Sequence, residues 1–116
     1  MQVEVTTDHA VEGGSELISE VESEVGAALS RFSERLTRVE VHLGDENAGK
    51  HGAADKRCTL EARPAGQPPV AVTHHAETSA QARAGALKKL RSLLEKRFGR
   101  ADDRKGRESI RHEEGG

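Results

Sequence analysis

Two alternating stretches, residues 38–43 and 56–63, place the strongest constraint on how this chain can fold. In each stretch apolar and polar residues take turns, which is typical of a strand with one buried and one solvated face. The buried positions would be Val39, Val41, Leu43, Cys58, Leu60 and Ala62. The segment between the two strands, 44–55, is rich in glycine, asparagine and aspartate, which favour turns. The pattern therefore predicts an antiparallel hairpin with a long connecting loop.

Two shorter alternating runs and two helical patterns complete the predicted fold. Residues 2–6 and 69–74 alternate as strands do, and two other segments repeat apolar residues every three or four positions, as one face of a helix does. The first helical stripe comprises Leu17, Val21, Val25, Ala28, Leu29, Phe32 and Leu36. The second comprises Ala80, Ala84, Leu87, Leu90, Leu94 and Phe98. The order β-α-β-β-β-α predicts an α+β fold, a four-stranded sheet with two helices packed on one face.

The predicted domain covers residues 1–99. Gly99 follows the last apolar position of the second helix and can end that helix. Beyond it, Ile110 is the one apolar anchor, so residues 100–116 cannot bury enough area to offset the entropy cost of ordering. We expect a charged, disordered C-terminal tail there.

Composition limits the functions open to this domain. Only 34% of the residues are hydrophobic, and tryptophan and tyrosine are absent, so the core must be thin and a large enclosed substrate pocket is not expected. The lone cysteine, Cys58, excludes an internal disulfide and fits a reducing cytoplasm. No run approaches the roughly 20 apolar residues that span a membrane, and the chain starts without a secretory leader. We therefore expect a cytoplasmic protein.

Charge is distributed unevenly along the chain. Residues 1–30 contain seven acids and no lysine or arginine, whereas residues 64–100 contain seven basic residues and two acids. This asymmetry suggests that one half faces a polyanion, although two solvated helices of opposite charge explain it equally well. Lysines and arginines on the second helix could neutralise phosphates, and folded RNA is read largely through shape and backbone. The shortage of aromatics argues against stacked single-stranded bases, so structured RNA is the predicted ligand.

Two short motifs suggest other chemistry, but both are incomplete. Residues 44–50 have the G-x-x-x-x-G-K spacing of a phosphate-binding loop, yet His51 replaces the required hydroxyl and a strand follows instead of a helix. Cys58, His74 and His75 could suggest zinc, but adjacent strand residues point to opposite faces. No catalytic grouping stands out. We therefore expect no enzymatic activity, no metal site and no cofactor.

The hairpin residues resemble a known family. The runs 38–43 and 56–66, with Asp45, Glu46, Asn47 and Lys50 between them, are similar to those of ribosome hibernation-promoting factors. That family is also called ribosome-associated inhibitor or sigma-factor modulation protein. The similarity continues through residues 69–72 into the second helix and covers about residues 1–98.

The resemblance implies a fold similar to double-stranded-RNA-binding domains and a non-enzymatic function. Such a protein would occupy the mRNA/tRNA channel of the small (30S) ribosomal subunit, bind its rRNA and repress translation in resting or stressed, stationary-phase cells. Whether it acts on 70S ribosomes or ribosome dimers is left open. The predicted RNA-binding residues are Lys88, Lys89, Arg91, Lys96, Arg57, Arg63, Arg31 and Arg35.

The chain departs from the family pattern at two places. Its first helix is acidic until Arg31 and Arg35, where family members usually carry basic residues, and residues 78–84 lack the usual tyrosine. The acidic helix supports an alternative hypothesis from another class, a protein-interaction adaptor that docks a basic partner through that helix.

Overall fold

The order of helices and strands confirms the predicted α+β fold. The computed structural model describes residues 1–8, 14–46 and 55–114, with side chains described up to residue 99. The elements are β1 (Gln2–Thr7), α1 (Ser15–Ala28), a short 3-10 helix (Ser30–Phe32), β2 (Leu36–Asp45), β3 (Lys56–Pro64), β4 (Val70–Ala76) and α2 (Ser79–Glu114). Within this part of the chain, no helix is long and apolar enough to cross a membrane.

The four strands form one mixed sheet in the order β1-β2-β3-β4. Strand β1 is parallel to β2, because the crossover through α1 returns the chain in the same direction. Strands β2 and β3 form the predicted antiparallel hairpin, in which Val41 lies opposite Leu60. Strand β4 pairs with β3, also antiparallel, and closes the other edge of the sheet.

The core lies between the helices and one face of the sheet, as the alternating pattern predicts. All six predicted hairpin positions are at most 3% exposed. From the helices, Val21 and Val25 of α1 and Leu90 and Leu94 of α2 complete the same cluster. Cys58 is one of the fully buried residues, and burial raises the pKa of its thiol to about 12. It is therefore a small core side chain, as predicted.

A buried ion pair joins the two helices. Arg83 of α2 is 5% exposed, and its Nε donates a hydrogen bond to Oε1 of Glu24 on α1 at 3.0 Å. Its Nη1 also donates to Oγ of Ser79 at 2.9 Å. Arg83 therefore belongs to the packing of the domain and adds nothing to its exposed positive charge.

The first helical stripe was predicted to run as one helix to Leu36, and this is wrong. Helix α1 ends at Ala28, Phe32 lies in the 3-10 helix, and Leu36 begins β2. The chain turns because the backbone of Arg35 is already committed to the hairpin, where its carbonyl accepts a hydrogen bond from the N–H of Ala65 at 2.9 Å. Phe32 and Leu36 are still buried, since both side chains pack into the same core cluster as Val21 and Val25 of α1.

The start of the second stripe is also shifted. Ala82 and Ala86 are buried, whereas the predicted Ala80 and Ala84 are exposed. The contact that sets this rotation involves Gly85, where an added Cβ would lie 2.1 Å from the imidazole of His74 on β4. Helix α2 therefore approaches the strand through a position without a side chain. Both pairs of alanines have the same spacing, so periodicity alone could not separate them.

The expected helix end at Gly99 is wrong as well, because α2 continues to Glu114. The structure assigns helical backbone to residues 100–114, where the sequence suggested disorder. An existing helix extends without a new nucleation cost. The division of the chain into a domain at 1–99 and a tail at 100–116 stays a prediction.

Candidate nucleic-acid interface

Among the described side chains of helix α2, which reach residue 99, four basic residues are exposed to solvent. Its first turn is capped by Thr78, whose Oγ1 accepts a hydrogen bond from the N–H of Gln81 at 3.1 Å. The helical spacing that buries Leu90 and Leu94 leaves the residues around them exposed. The exposed basic residues are Lys88, Lys89, Arg91 and Lys96.

These four residues form two rows along α2. Lys89 and Lys96 lie seven positions apart on the side next to strand β4, where Nζ of Lys89 donates a hydrogen bond to the carbonyl of Thr73 at 2.9 Å. Lys88 and Arg91 lie on the other side, in line with Glu95. The contact of Lys89 with a neutral carbonyl leaves its positive charge uncompensated.

The row formed by Lys88 and Arg91 is the most available for a ligand. Neither residue has an ion pair or hydrogen bond with any other described part of the chain, and both are exposed. An incoming phosphate therefore need not displace an internal partner from them. Such residues can contribute their full charge to the binding of a polyanion.

Arg31, in the 3-10 helix, and Arg35, just before β2, cover the two phenylalanine rings of the protein. The Arg31 guanidinium carbon is 4.9 Å from the ring centroid of Phe32, and that of Arg35 is 4.9 Å from Phe98. Arg31 also forms an ion pair with Glu95 of α2, with 3.2 Å between Nη2 and Oε1. This pair brings the two arginines next to the basic helix.

Arg57 and Arg63 lie on the open face of the sheet, away from the helices, and are paired with acids. Arg63 contacts Glu61 at 2.9 Å and Glu40 at 3.4 Å. Arg57 contacts Glu46 at 3.4 Å and Asp8 at 3.9 Å. The structure therefore places Arg31 next to Glu95, in line with Lys88 and Arg91, and Arg35 over Phe98 of α2, but it places the two hairpin arginines on the other face of the sheet.

The open sheet face carries an ion-pair network that the sequence analysis missed. Arg38 donates a hydrogen bond to Glu4 of β1 and lies 3.6 Å from Glu40. At the far end of the hairpin, Nε2 of His75 lies 2.8 Å from Oε1 of Glu46, and this hydrogen bond holds the pKa of that carboxyl below its usual value. The strand register would have revealed the Arg38–Glu4 pair, which joins the neighbouring strands β1 and β2. The other two contacts lie within β2 (Arg38–Glu40) and between β4 and the residue that follows β2 (His75–Glu46).

The two alternative motifs can be compared with the structure only in part. Residues 47–50 of the phosphate-loop spacing and His51 lie outside the described residues. His74 faces the core side and His75 the open side, so the two imidazoles do not converge. Across the described ranges, no three His, Cys, Asp or Glu side chains come together as ligands for a metal ion.

Comparisons with known proteins give fold matches among solved structures. The N-terminal domain of Thermus thermophilus Protein Y matches with a TM-score of 0.65 and 20% identity, covering 84% of this chain and 99% of that domain. A ribosomal subunit interface protein from Coxiella burnetii matches with a TM-score of 0.65 and 13% identity, covering 85% of this chain and 99% of that protein. No family model and no curated protein sequence matches the chain significantly. The chain has the fold of the Protein Y N-terminal domain and of the Coxiella ribosomal subunit interface protein.

Proposed function

We propose that this chain is a ribosome hibernation factor that binds the small ribosomal subunit through helix α2. One observation carries the proposal: the exposed cations Lys88, Lys89, Arg91 and Lys96 lie together on a fold shared with a ribosomal subunit interface protein. The sequence resemblance to the hibernation-promoting factor family supports the same assignment. The protein would act in the cytoplasm of resting or stressed cells.

The proposed mechanism is occlusion without chemistry. Lysines and arginines that contact rRNA phosphates release condensed counterions, so four such contacts would give a salt slope of roughly −3 to −4 in log affinity against log salt. A domain held in this way in the mRNA/tRNA channel would exclude mRNA and tRNA and so repress translation. No residue needs to act as a nucleophile, an acid or a base.

The charge of α1 would fix the orientation of the bound domain. Glu16, Glu20 and Glu22 are exposed on this helix, and phosphates would repel them. The domain would therefore present α2 to the rRNA and turn the exposed face of α1 away. The same exposed acids also support the adaptor hypothesis, in which α1 binds a basic protein partner. An experiment can distinguish this alternative from rRNA binding through α2.

A reversal of charge on the available row tests the proposal. In Lys88→Glu/Arg91→Glu neither original residue has an internal partner among the described residues, so the fold should be preserved and circular dichroism should not change. Cosedimentation with purified small subunits should be lost, and a translation assay inhibited by the wild-type protein should recover.

The matched control reverses three exposed acids of α1, in the variant Glu16→Lys/Glu20→Lys/Glu22→Lys. Glu24 is left in place because it holds the buried Arg83. The control should bind small subunits as well as the wild type or better. Loss of binding in the control together with retention in the α2 variant would refute the rRNA contact and favour the adaptor hypothesis.

A further inference from the structure

A cavity opens beside the basic helix, between α2 and the segment that contains the 3-10 helix and leads to β2. It has a volume of about 300 Å³ and is lined by Arg31, Phe32, Arg35, Glu95, Phe98 and Gly99. This volume is at the lower end of the range for small-ligand sites. The proposed ribosome contact of α2 makes no use of it.

The accessible flat surfaces in the cavity are guanidinium groups. The two phenylalanine rings lie 5.7 Å apart and are themselves covered, with Phe32 5% and Phe98 6% exposed. The arginines lie over these rings, and the side chain of Arg31 is 65% exposed. Unpaired RNA bases stack on the planes of arginine side chains as well as on aromatic rings.

An anion that enters the cavity can pair with Arg31, whose side chain is 65% exposed. Glu95 holds one edge of the Arg31 guanidinium at 3.2 Å. The remaining donors of a guanidinium can pair with a phosphate, which is the anion whose geometry they match.

The position of the cavity connects it to the available cations. Lys88 and Arg91 lie on the same side of α2 as Glu95, at steps of three and four residues. An RNA backbone that follows this row toward the C-terminus would therefore arrive at the cavity. This continuity favours a nucleotide within RNA over an unrelated small anion.

We propose that the cavity binds one unpaired nucleotide of RNA, with its base stacked on the Arg35 guanidinium and its phosphate paired with Arg31. The inference rests on the proposed function and adds a single-nucleotide contact to a surface that otherwise meets the RNA backbone. The shortage of aromatic residues does not prevent this contact, because the base stacks on an arginine side chain.

Nuclear magnetic resonance can detect such a ligand directly. The protein contains two phenylalanines and no tryptophan or tyrosine, so the ring signals of Phe32 and Phe98 are unambiguous reporters. A short single-stranded oligoribonucleotide should shift both sets of signals. Adenosine 5′-monophosphate is the second probe, and a response to this mononucleotide with none to the oligoribonucleotide would overturn the assignment to RNA.

Two glycines provide a matched pair of variants. An added Cβ at Gly99 would meet nothing within 4 Å, and the same is true at Gly26 in α1, which does not line the cavity. Gly99→Met should fill the cavity without changing any charge, abolish the ring-signal shifts and weaken small-subunit binding by about tenfold, the value of one stacked base. Gly26→Met should bind as the wild type does.

A third variant moves the affinity in the opposite direction. Glu95→Gln removes the acid that competes for Arg31, so RNA should bind more tightly and the salt slope should steepen by roughly one unit. If the arginines only cover the aromatic rings, the oligoribonucleotide should not shift the ring signals and Gly99→Met should not change RNA binding, and that result would overturn the inference.

The two proposals fail in different ways. Small-subunit binding that is lost in the α2 charge reversal but unchanged in Gly99→Met would overturn the cavity inference and leave the proposed function standing. Ring-signal shifts with the oligoribonucleotide, in a wild-type protein that does not sediment with small subunits, would support the cavity and refute the proposed function.

Discussion

Removing Glu24 from the buried ion pair between α1 and α2 should lower the free energy of unfolding much more than removing Arg83. In Glu24→Ala, Arg83 keeps its charge in a site where its side chain is 6% exposed. Breaking a buried pair in this way typically costs about 3–5 kcal/mol of unfolding free energy. In Arg83→Met, by contrast, a chain of similar length fills the space and no charge stays buried.

The structure sets the expected magnitudes. Arg83 donates two hydrogen bonds to Glu24, at 3.0 and 3.4 Å, and one to Ser79 at 2.9 Å, so Glu24→Ala removes two of three. Because the Glu24 side chain is 34% exposed, water can reach the site. We therefore expect a loss of about 2–3 kcal/mol, below the fully buried range. Arg83→Met should cost about 1 kcal/mol or less, since the remaining carboxylate can be solvated.

Urea unfolding followed by circular dichroism measures these differences. With a denaturant slope of about 1–3 kcal/mol per molar urea, Glu24→Ala should lower the midpoint by roughly 1 M. The double variant should resemble Arg83→Met alone, giving a coupling energy of about 2 kcal/mol. Glu20→Ala, an exposed position on the same helix, should stay within about 0.5 kcal/mol of the wild type. Additive single effects, or a larger loss in Arg83→Met than in Glu24→Ala, would refute the reasoning.

Three further predictions concern close packing, pH and thiol reactivity. Gly85→Ala should lower the melting temperature, because the added Cβ would lie 2.1 Å from the His74 ring. In Gly26→Ala the added Cβ meets no atom within 4 Å, so this variant should stabilise helix α1 by up to about 1 kcal/mol. The folded structure lowers the pKa of Glu46, so the ionised carboxylate stabilises the fold at pH values above its ordinary pKa of 4.5. This stabilisation is lost as the pH falls through the lowered pKa. Glu46→Gln should therefore flatten the acid side of a plot of stability against pH. With a pKa of about 12, the buried Cys58 thiol should resist alkylation at pH 8 in the native protein and react only after denaturation, and rapid labelling of the folded protein would contradict its burial.

The hairpin and core could be predicted because the buried side of a strand shows directly in its sequence, as apolar residues at every second position. Val39 and Val41 on β2, and Leu60 on β3, occupy the inward positions that the period of two requires. The exposure of the basic residues on α2 was predictable for the same reason, since the period of 3.6 separates the apolar stripe from the solvent side. In both cases the information lies within a single element.

The features that could not be predicted depend on contacts between distant elements. Arg83 reads as a solvated cation until its partner Glu24, fifty-nine positions earlier, is placed beside it. The acids that compensate Arg63 lie on its own strand and on the neighbouring one, so finding both requires the strand register. The rotation of α2 depends on Gly85 meeting β4, and small residues carry too little periodic signal to fix it.

The way in which the fold sorts its charges leaves one described surface suited to a polyanion. Three arginines of the open sheet face, Arg38, Arg57 and Arg63, are engaged by five acids: Glu4, Asp8, Glu40, Glu46 and Glu61. Helix α1 exposes acids along its length, and its one buried link to α2 neutralises Arg83. The uncompensated row of Lys88 and Arg91 remains, on a protein whose formal net charge is −2. Because the arginines of the open sheet face are paired with acids and α1 is acidic, an RNA ligand would be attracted to the α2 side of the domain and repelled by α1. Orientation, more than total charge, would then determine the affinity.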